Sequence, residues 1–339
     1  MDVTRLLSPR RLLATGLALL AVVAVIAWVV PSKKYIVLPD RAHAIAPLIQ
    51  VKGAKPAKGP GGVYFVDVIV RKASLFERLF PGIREGSTLL PASAVNAGVS
   101  ESARVKIDQL DMARSQQVAA AVALRSLGYK VVTRPNGALV AAVFAGTPAA
   151  KKLAAGDVIV AVDGKPVRTR ADLRRLIGRH KPGDDVRLRV RGGDGGGVHT
   201  VVLRTIRDPQ TRRPVVGVYV GEAAEIELPR RVKIRVGDVV GPSAGLAFAL
   251  ALRDELGSDI DHGNRIATTG ALELDGTVDP IGGVKQKTIG ARKSHVDAFL
   301  VPAGDNAREA RRYAHGLRIV PVKSFQQALR ALATLPRKR

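Results

Sequence analysis

The feature that most constrains this chain is an uncharged apolar run from Leu12 to Val30. The run is about as long as a helix must be to cross a bilayer. Trp28, near its end, is typical of the interface between lipid and water. The sequence therefore predicts a single membrane-spanning helix over residues 12–30.

Charges on either side of this run predict its orientation. Arg5, Arg10 and Arg11 precede it, whereas Lys33 and Lys34 follow it. The arginines favour a cytoplasmic amino terminus, so we expect the rest of the chain outside the cytoplasm, at the cell membrane. A cleaved signal peptide is the alternative. It is disfavoured because the run is long and no small-x-small cleavage site follows it.

Composition narrows the range of functions. The 339 residues suffice for two or three domains, and a hydrophobic content of 46% supports packed cores. The net charge is +25, but the cations are scattered and only 4% of residues are aromatic, so we expect solvated faces and no nucleic-acid partner. Cysteine is absent, which excludes disulfides and thiolate zinc sites. No His/Glu zinc motif is present, and we expect neither metal nor cofactor.

The segment after the apolar run mixes strand and helix patterns. The elements expected there are a strand at Tyr35–Leu38 ended by a turn at Pro39-Asp40, a loop over 52–62, a strand at Gly62–Val70 and a helix at Asp108–Leu127.

Residues 128–208 form a separate unit of short strands. The expected elements are strands at 138–144, 157–162, 186–190 and 200–203, a hairpin turn at Asp163-Gly164 and a helix at about 170–179.

The stretch Gly137–Val167, GALVAAVFAGTPAAKKLAAGDVIVAVDGKPV, resembles a bacterial PDZ domain. The resemblance implies a groove that takes an extended peptide as an added strand. The loop that accepts the peptide carboxylate is expected at Asn136, Gly137, Ala138 and Leu139. A PDZ-like fold that serves only as a spacer or lid is the alternative.

Residues 214–336 predict a second α/β unit. The expected strands are Val215–Val220, Val232–Val236, Ile266–Thr269, Ala298–Val301 and one near Leu317–Val320, and the expected helices are Pro242–Leu256, Val284–Ser294, Asp305–His315 and Ser324–Ala333.

Ser243 is the first residue with a chemical role to consider. It lies in Gly241-Pro242-Ser243-Ala244-Gly245, ahead of an apolar helical run, and Pro242 suits a first helical turn. Free N–H groups and the positive end of the helix dipole in such a turn can bind an oxyanion. A helix-capping serine is the alternative.

Lys287 is the second such residue. On the helix that follows Pro280-Ile281-Gly282-Gly283, the side chains of Val284, Lys287 and Ala291 share one face, which is expected to be buried. Burial lowers the pKa of a lysine by up to about 3–5 units, and the neutral amine can then deprotonate a serine. A lysine that extends its amine to solvent is the alternative.

Together the two segments resemble the proteolytic domain of the Lon family. The family's nucleophile lies in a GPSAG motif and its lysine is the second in PIGG-x-K-x-K, which here are Ser243 and Lys287. A Thr-Gly that contacts the lysine in the family is matched by Thr269-Gly270. The resemblance implies a Ser-Lys peptidase in which Thr269 orients the amine and Gly241 and Ala244 flank the nucleophile.

Two departures qualify the resemblance. The family usually has Asp directly before GPSAG, where this chain has Val240, with Asp238 two residues earlier. The ATPase module that normally precedes the domain is missing, because no GxxxxGK[ST] loop occurs in the sequence. This arrangement resembles the ATP-independent, PDZ-containing bacterial members of the family.

The expected fold class is therefore α/β (α+β): a Lon-type proteolytic domain with an inserted PDZ-like domain and an N-terminal transmembrane helix. The expected segments are 1–11 as a cytoplasmic N-terminus, 12–30 as the anchor, 31–127 as a tether and the first part of the peptidase domain, 128–208 as the PDZ-like domain and 209–339 as the Lon-type proteolytic domain.

The function implied is that of an ATP-independent serine endopeptidase that cleaves proteins at the membrane surface. The expected partners are protein or peptide substrates and the lipid bilayer, through residues 12–30. A homo-oligomer stays open, since related domains assemble into rings.

Two other functions stay open. The GPSAG serine also fits the G-x-S-x-G elbow of α/β-hydrolase esterases, with His295 or His315 as the base, although an HGGG segment is absent. The chain could also be a membrane-tethered PDZ scaffold with an inactive peptidase domain.

Overall fold

The computed structural model describes residues 9–51, 61–96, 101–193, 197–208, 211–237 and 239–338. The helices are α1 (Pro9–Val29), α2 (Leu75–Leu79), α3 (Ala92–Asn96), α4 (Glu101–Ser126), α5 (Arg170–Ile177), α6 (Gly245–Glu255), α7 (Val284–Lys293), α8 (Asp305–Tyr313) and α9 (Phe325–Ala333).

The strands are β1 (Pro31–Ala44), β2 (Ile49–Val51), β3 (Gly62–Ser74), β4 (Thr88–Pro91), β5 (Val132–Val143), β6 (Val158–Val162), β7 (Lys165–Pro166), β8 (Asp185–Arg191), β9 (Val198–Arg204), β10 (Ile206–Arg207), β11 (Pro214–Val215), β12 (Val218–Glu227), β13 (Val232–Ile234), β14 (Arg265–Thr268), β15 (Ala271–Leu272), β16 (Val278–Asp279), β17 (Ala298–Pro302) and β18 (Arg318–Val322).

A mixed six-stranded sheet, which we call the first sheet, has the strand order β18-β17-β14-β3-β1-β4. β14 is parallel to β3 and β17, whereas β1 is antiparallel to β3 and β4. Helices α4, α6 and α9 pack on one face, and α7 and α8 on the other. Because successive side chains of a strand point to opposite faces, Leu300 of β17 lies in the core beneath α6, and Phe299 in the core beneath α7. The fold is thus three layers around one sheet.

A second sheet lies within the chain of the first, since its strands fall between β4 and β14. Its order is β12-β5-β6-β8-β9, with β7 paired to β6, and α5 covers a core that includes Leu173 and Val186. Asp163 and Gly164 both have positive φ at the β6–β7 hairpin, as the turn signal predicted.

The boundary expected at residue 208 does not match this sheet. β12 pairs with β5 along its full length. The strand predicted at Val215–Val220 in the carboxyl-terminal unit falls in two strands: Val215 ends β11, and Val218–Val220 begin β12 of the second sheet. The sequence pattern located only the start of β12. The partner of this strand depends on tertiary packing, which a local pattern does not contain.

Other differences concern where elements begin and end. β1 continues through Pro39 and Asp40 to Ala44, because a register shift between Pro39 and Ala42 absorbs the irregularity instead of a turn. α4 begins at Glu101, seven residues before the prediction. The loop expected at 52–62 lies outside the described residues up to position 60, and Gly62 already begins β3.

The predicted membrane anchor coincides with α1. The structure describes the side chains of this helix from residue 13 onward, and large apolar residues along it are exposed. In the part of the chain that is described, no helix has both the length and the hydropathy needed to cross a membrane. The anchor over 12–30 stays a prediction.

A close approach between α7 and β1 generates a stability prediction. A Cβ at Gly290 would collide with the backbone oxygen of Asp40. Gly to Ala inside a helix usually stabilises by about 1 kcal/mol. Here we expect Gly290→Ala to lower the free energy of unfolding by about 1–3 kcal/mol, as overpacking does. Urea unfolding followed by circular dichroism measures the change.

Gly82→Ala is the matched control, because a Cβ at Gly82 meets nothing within 4 Å. A gain in stability for Gly290→Ala would show that α7 and β1 do not pack this closely.

Candidate active site

The turn that carries Ser243 is held by α4 on one side. Pro242–Ala244 forms a 3-10 turn ahead of α6, so Ser243 precedes the α-helix instead of lying in its first turn as predicted. Gly241 has φ 90°, a backbone conformation that favours glycine. The Gly241 N–H donates to the Asp108 carbonyl at 3.0 Å, and Ser115 Oγ donates to the Pro242 carbonyl at 3.3 Å.

The segment after β14 holds the turn on its other side. The Gly270 N–H and Thr269 Oγ1 both donate to the Ser243 carbonyl, at 2.8 and 3.1 Å. The Leu246 N–H donates back to the Gly270 carbonyl at 3.1 Å. These bonds fix the Ser243 carbonyl, and the Ser243 hydroxyl meets a partner on another helix.

That partner is Lys287 of α7. The Lys287 Nζ lies 2.6 Å from Ser243 Oγ and 3.2 Å from Thr269 Oγ1. Lys287 is 2% exposed, and burial lowers the pKa of its amine from 10.5 to about 8. The structure thus places the amine in a dry position against the hydroxyl, and with a neutral amine the hydroxyl donates to Nζ.

Asp67 of β3 is a site residue that the sequence reasoning missed. It lines the same cleft as Ser243, and its charge raises the pKa of Lys287, against the larger effect of burial. Burial in turn raises the pKa of Asp67. The signal that could have found it is a lone carboxylate within the apolar strand pattern Gly62–Val70.

An open cleft of ≈ 440 Å³ gives access to Ser243. Val68 and Val70 of β3 form an apolar wall. Arg104 and Asp108 of α4 also line the cleft and form an ion pair at 2.7 Å. The arrangement offers a nucleophile, a base with a lowered pKa and a bounded space for a polypeptide beside them.

The remaining predicted residues have mixed positions. Gly241 and Ala244 flank Ser243 in the turn, as the motif requires. Val240, which replaces the family's Asp, lines the cleft, whereas Asp238 lies outside the described residues.

The esterase alternative required a histidine near the serine. His295 lines a different cavity, together with Arg41 and Arg265, and neither His295 nor His315 lines the Ser243 cleft. The groups within hydrogen-bond distance of Ser243 Oγ among the described residues include the Lys287 amine but no imidazole. In the described ranges, no group of three or more His, Cys, Asp or Glu side chains comes together to hold a metal ion.

The segment predicted to accept a peptide carboxylate lies in a strand and not in a loop, and its role in binding stays a prediction. Asn136, Gly137, Ala138 and Leu139 lie inside β5, which pairs with β12 on one side and β6 on the other. Ala138 and Leu139 pair with both neighbours, whereas the Gly137 N–H donates to the Arg168 carbonyl at 3.2 Å and Asn136 lies at a register shift in the pairing with β12. The open edges of the sheet are instead β12 and β9.

Comparison with protein families identifies two regions of the chain. Residues 125–196 match the PDZ domain family, and residues 232–334 match the Lon protease (S16) C-terminal proteolytic domain. The second match contains Ser243, Thr269 and Lys287. The peptidase and PDZ resemblances inferred from the motifs are therefore confirmed, and the matched domain is that of a serine peptidase.

Curated relatives agree with these matches. Lon protease 1 of Sorangium cellulosum is 32% identical over 214 residues, which is 54% of this chain and 25% of the relative. Lon protease 2 of Bacillus subtilis is 34% identical over 28% of this chain and 17% of the relative. A probable periplasmic serine endoprotease DegP-like of Halomonas elongata is 39% identical over 30% of this chain and 21% of its own length. The chain thus spans a quarter or less of these relatives.

Among solved structures, the PDZ domain of the SdrC-like protein of Listeria monocytogenes is 25% identical over 25% of this chain and 87% of that chain, with a TM-score of 0.24.

Proposed function

The chain carries a Lon-type proteolytic domain together with a PDZ domain, and from this premise we propose that it is an ATP-independent serine endopeptidase acting at a membrane surface. Ser243 is the nucleophile and Lys287 the general base. The observation that carries the proposal is the 2.6 Å separation between Lys287 Nζ and Ser243 Oγ, with the amine 2% exposed.

In the proposed reaction, Lys287 acts as both general base and general acid. Neutral Lys287 takes the proton of Ser243 Oγ as this oxygen attacks the carbonyl carbon of a peptide bond. The backbone N–H groups of the Ser243–Ala244 turn stabilise the oxyanion. The ammonium of Lys287 then protonates the leaving amine, and an acyl-enzyme remains on Ser243. Water, deprotonated by Lys287, attacks this ester, and the Lys287 ammonium returns the proton to Ser243 Oγ as the second product leaves.

Thr269 has a positioning role in this scheme. Its Oγ1 contacts both the Lys287 amine and the Ser243 carbonyl, so it fixes the amine relative to the turn. The sequence contains no GxxxxGK[ST] nucleotide loop, which supports cleavage without ATP. Residues 12–30 lie in the bilayer in this proposal, and the two domains lie outside the cytoplasm.

We expect Ser243→Ala and Lys287→Ala to abolish cleavage of casein by the full chain in mild detergent without nucleotide. Loss of a positioned base alone costs about 10²–10⁴-fold in rate. Labelling by a serine-directed fluorophosphonate, followed on gels, is expected in the wild type and absent in Ser243→Ala.

Lys285→Ala is the matched control. Lys285 lies on the same helix, but its Nζ donates to the Ser87 carbonyl instead of contacting Ser243. It is expected to retain activity. A folded wild-type chain that cleaves no unfolded polypeptide and is not labelled would instead support the inactive scaffold.

The pKa of Lys287 predicts the pH dependence. Only the neutral amine accepts a proton, so kcat/KM is expected to rise as pH increases through about 8 and to level off above it. Asp67 favours the ammonium form, and Asp67→Asn is therefore expected to move the rise to lower pH by up to about one unit.

The exposed carboxylate Glu85 provides the control for this profile, because Glu85→Gln removes a charge that pairs with Arg292 and Lys293 instead. A shift to higher pH in Asp67→Asn would contradict the assignment of Lys287 as the base.

We also propose that the PDZ domain binds an extended peptide along the outer edge of β12. β12 ends the second sheet, and α5 lies beside it. An added strand would pair with its free main-chain groups. The chain then runs from β12 through β13 to the Ser243 turn, so a peptide held there lies on the segment that leads to the nucleophile.

Amide hydrogen exchange tests this binding edge. Unfolded substrate peptides are expected to slow exchange along Val218–Glu227 in the Ser243→Ala chain. β9, the opposite edge strand, is the internal control and should be unaffected. Slower exchange at β9 alone would place the peptide at the opposite edge and overturn the proposal, whereas slower exchange at neither edge would leave the domain as a spacer.

A further inference from the structure

A cluster of large apolar side chains follows α2 and faces solvent. Leu79, Phe80 and Ile83 are 69%, 54% and 49% exposed. They lie within five residues of one another, in the connection between β3 and β4. Contiguous apolar surface of this kind marks an interaction site on a soluble domain. We call these three residues the apolar tip.

The apolar tip lies where α1 enters the first sheet. Pro31 of β1 pairs with Ser74 of β3, and the Leu75 N–H donates to the Val30 carbonyl at 3.0 Å. The ring of Phe76 lies 5.4 Å from that of Trp28, the aromatic residue near the end of α1. The exposed apolar surface of α1 and the apolar tip are therefore neighbours at one end of the molecule.

A buried carboxylate fixes the orientation of α2 and of the apolar tip that follows it. Glu77 is 2% exposed and accepts hydrogen bonds from Arg71 and Arg84. It also accepts from the Ser74 N–H, while Ser74 Oγ caps α2 in return. The Arg84 guanidinium lies 5.6 Å above the Trp28 ring. These contacts orient α2 and leave its apolar side chains pointing outward.

The charge around the tip is positive. Lys33, Lys34, Lys72 and Arg78 are exposed on the segments that border it. Two acidic residues lie near the tip: Glu77 is buried against Arg71 and Arg84, and Glu85, which follows Arg84, pairs with Arg292 and Lys293. Apolar tips ringed by cations and joined to an aromatic residue suit the headgroup layer of an anionic bilayer.

We propose that the apolar tip inserts into the headgroup layer of an anionic phospholipid bilayer, beside the entry of α1. The inference rests on the membrane anchor of the proposed function and adds a second contact to it. A single helix leaves the attached domain free to rotate, whereas two contacts fix the first sheet, and hence the Ser243 cleft, relative to the membrane.

The absence of cysteine from the sequence allows a clean test with single labels. Gly82→Cys places an environment-sensitive fluorophore within the tip, and Gly16→Cys places one on α1. At both positions an added Cβ meets nothing within 4 Å. Val198→Cys, on the exposed β9, is the control in the second sheet. The full chain is reconstituted in vesicles of phosphatidylcholine and phosphatidylglycerol.

In these vesicles we expect nitroxide-labelled lipids to quench the label at position 82 several-fold more than the label at 198, and iodide in the water to show the reverse order. Replacing all three residues of the tip by serine, in the Gly82→Cys chain, is expected to return the label to the behaviour of position 198. Unchanged circular dichroism confirms that this variant is folded.

Each other outcome overturns the inference in a distinguishable way. In one outcome, iodide quenches the label at 82 as strongly as the label at 198, while lipid quenches the label at 16. This result would support the membrane anchor and exclude insertion of the apolar tip. Iodide quenching at all three positions removes both contacts. Protection at 82 from both quenchers indicates a protein contact instead of lipid. Casein cleavage by Ser243 is read separately and decides none of these outcomes.

Discussion

The candidate site depends on keeping one amine out of water next to one hydroxyl. Water around Lys287 would restore its ordinary pKa and remove the base, so the layers that bury it are as necessary as the residue itself. Lys287 reaches Ser243 from α7, on the face of the first sheet opposite α6, and meets it beyond the end of β14. Packing of the sheet against both helical layers thus sets the distance between the Lys287 amine and the Ser243 hydroxyl.

Backbone hydrogen bonds from separate parts of the chain hold this geometry. The Ser243 turn is fixed by α4 through Asp108 and by the segment after β14 through Thr269 and Gly270. Asp67 of β3 partly offsets the effect of burial, because its charge raises the pKa of Lys287. A lysine with no such carboxylate would have a still lower pKa, but a less stable ammonium form after it has taken the proton.

The sequence predicted the contact between Ser243 and Lys287 because short motifs contain both residues. The face shared by Val284, Lys287 and Ala291 follows from helical spacing, and all three are buried as expected. Asp67 escaped prediction because its neighbour, Lys287, is distant in sequence and meets it only when β3 and α7 pack. The sequence also did not predict that β12 pairs with β5 or that β1 continues through Pro39. Both features depend on tertiary contacts, which hydrophobic periodicity and residue propensity do not describe.

The insertion of the second sheet has a mechanical consequence for the site. The chain leaves the first sheet's layers through α4 and returns through β12 and β13, and both connections touch the nucleophile turn. α4 holds Gly241 through Asp108, whereas β13, anchored to β2, begins the segment that ends in Ser243. A displacement of the second sheet therefore acts on the turn from two directions at once. The two connections therefore link the proposed peptide edge, β12, to the turn that holds Ser243, and coupling between peptide binding and cleavage would pass through them.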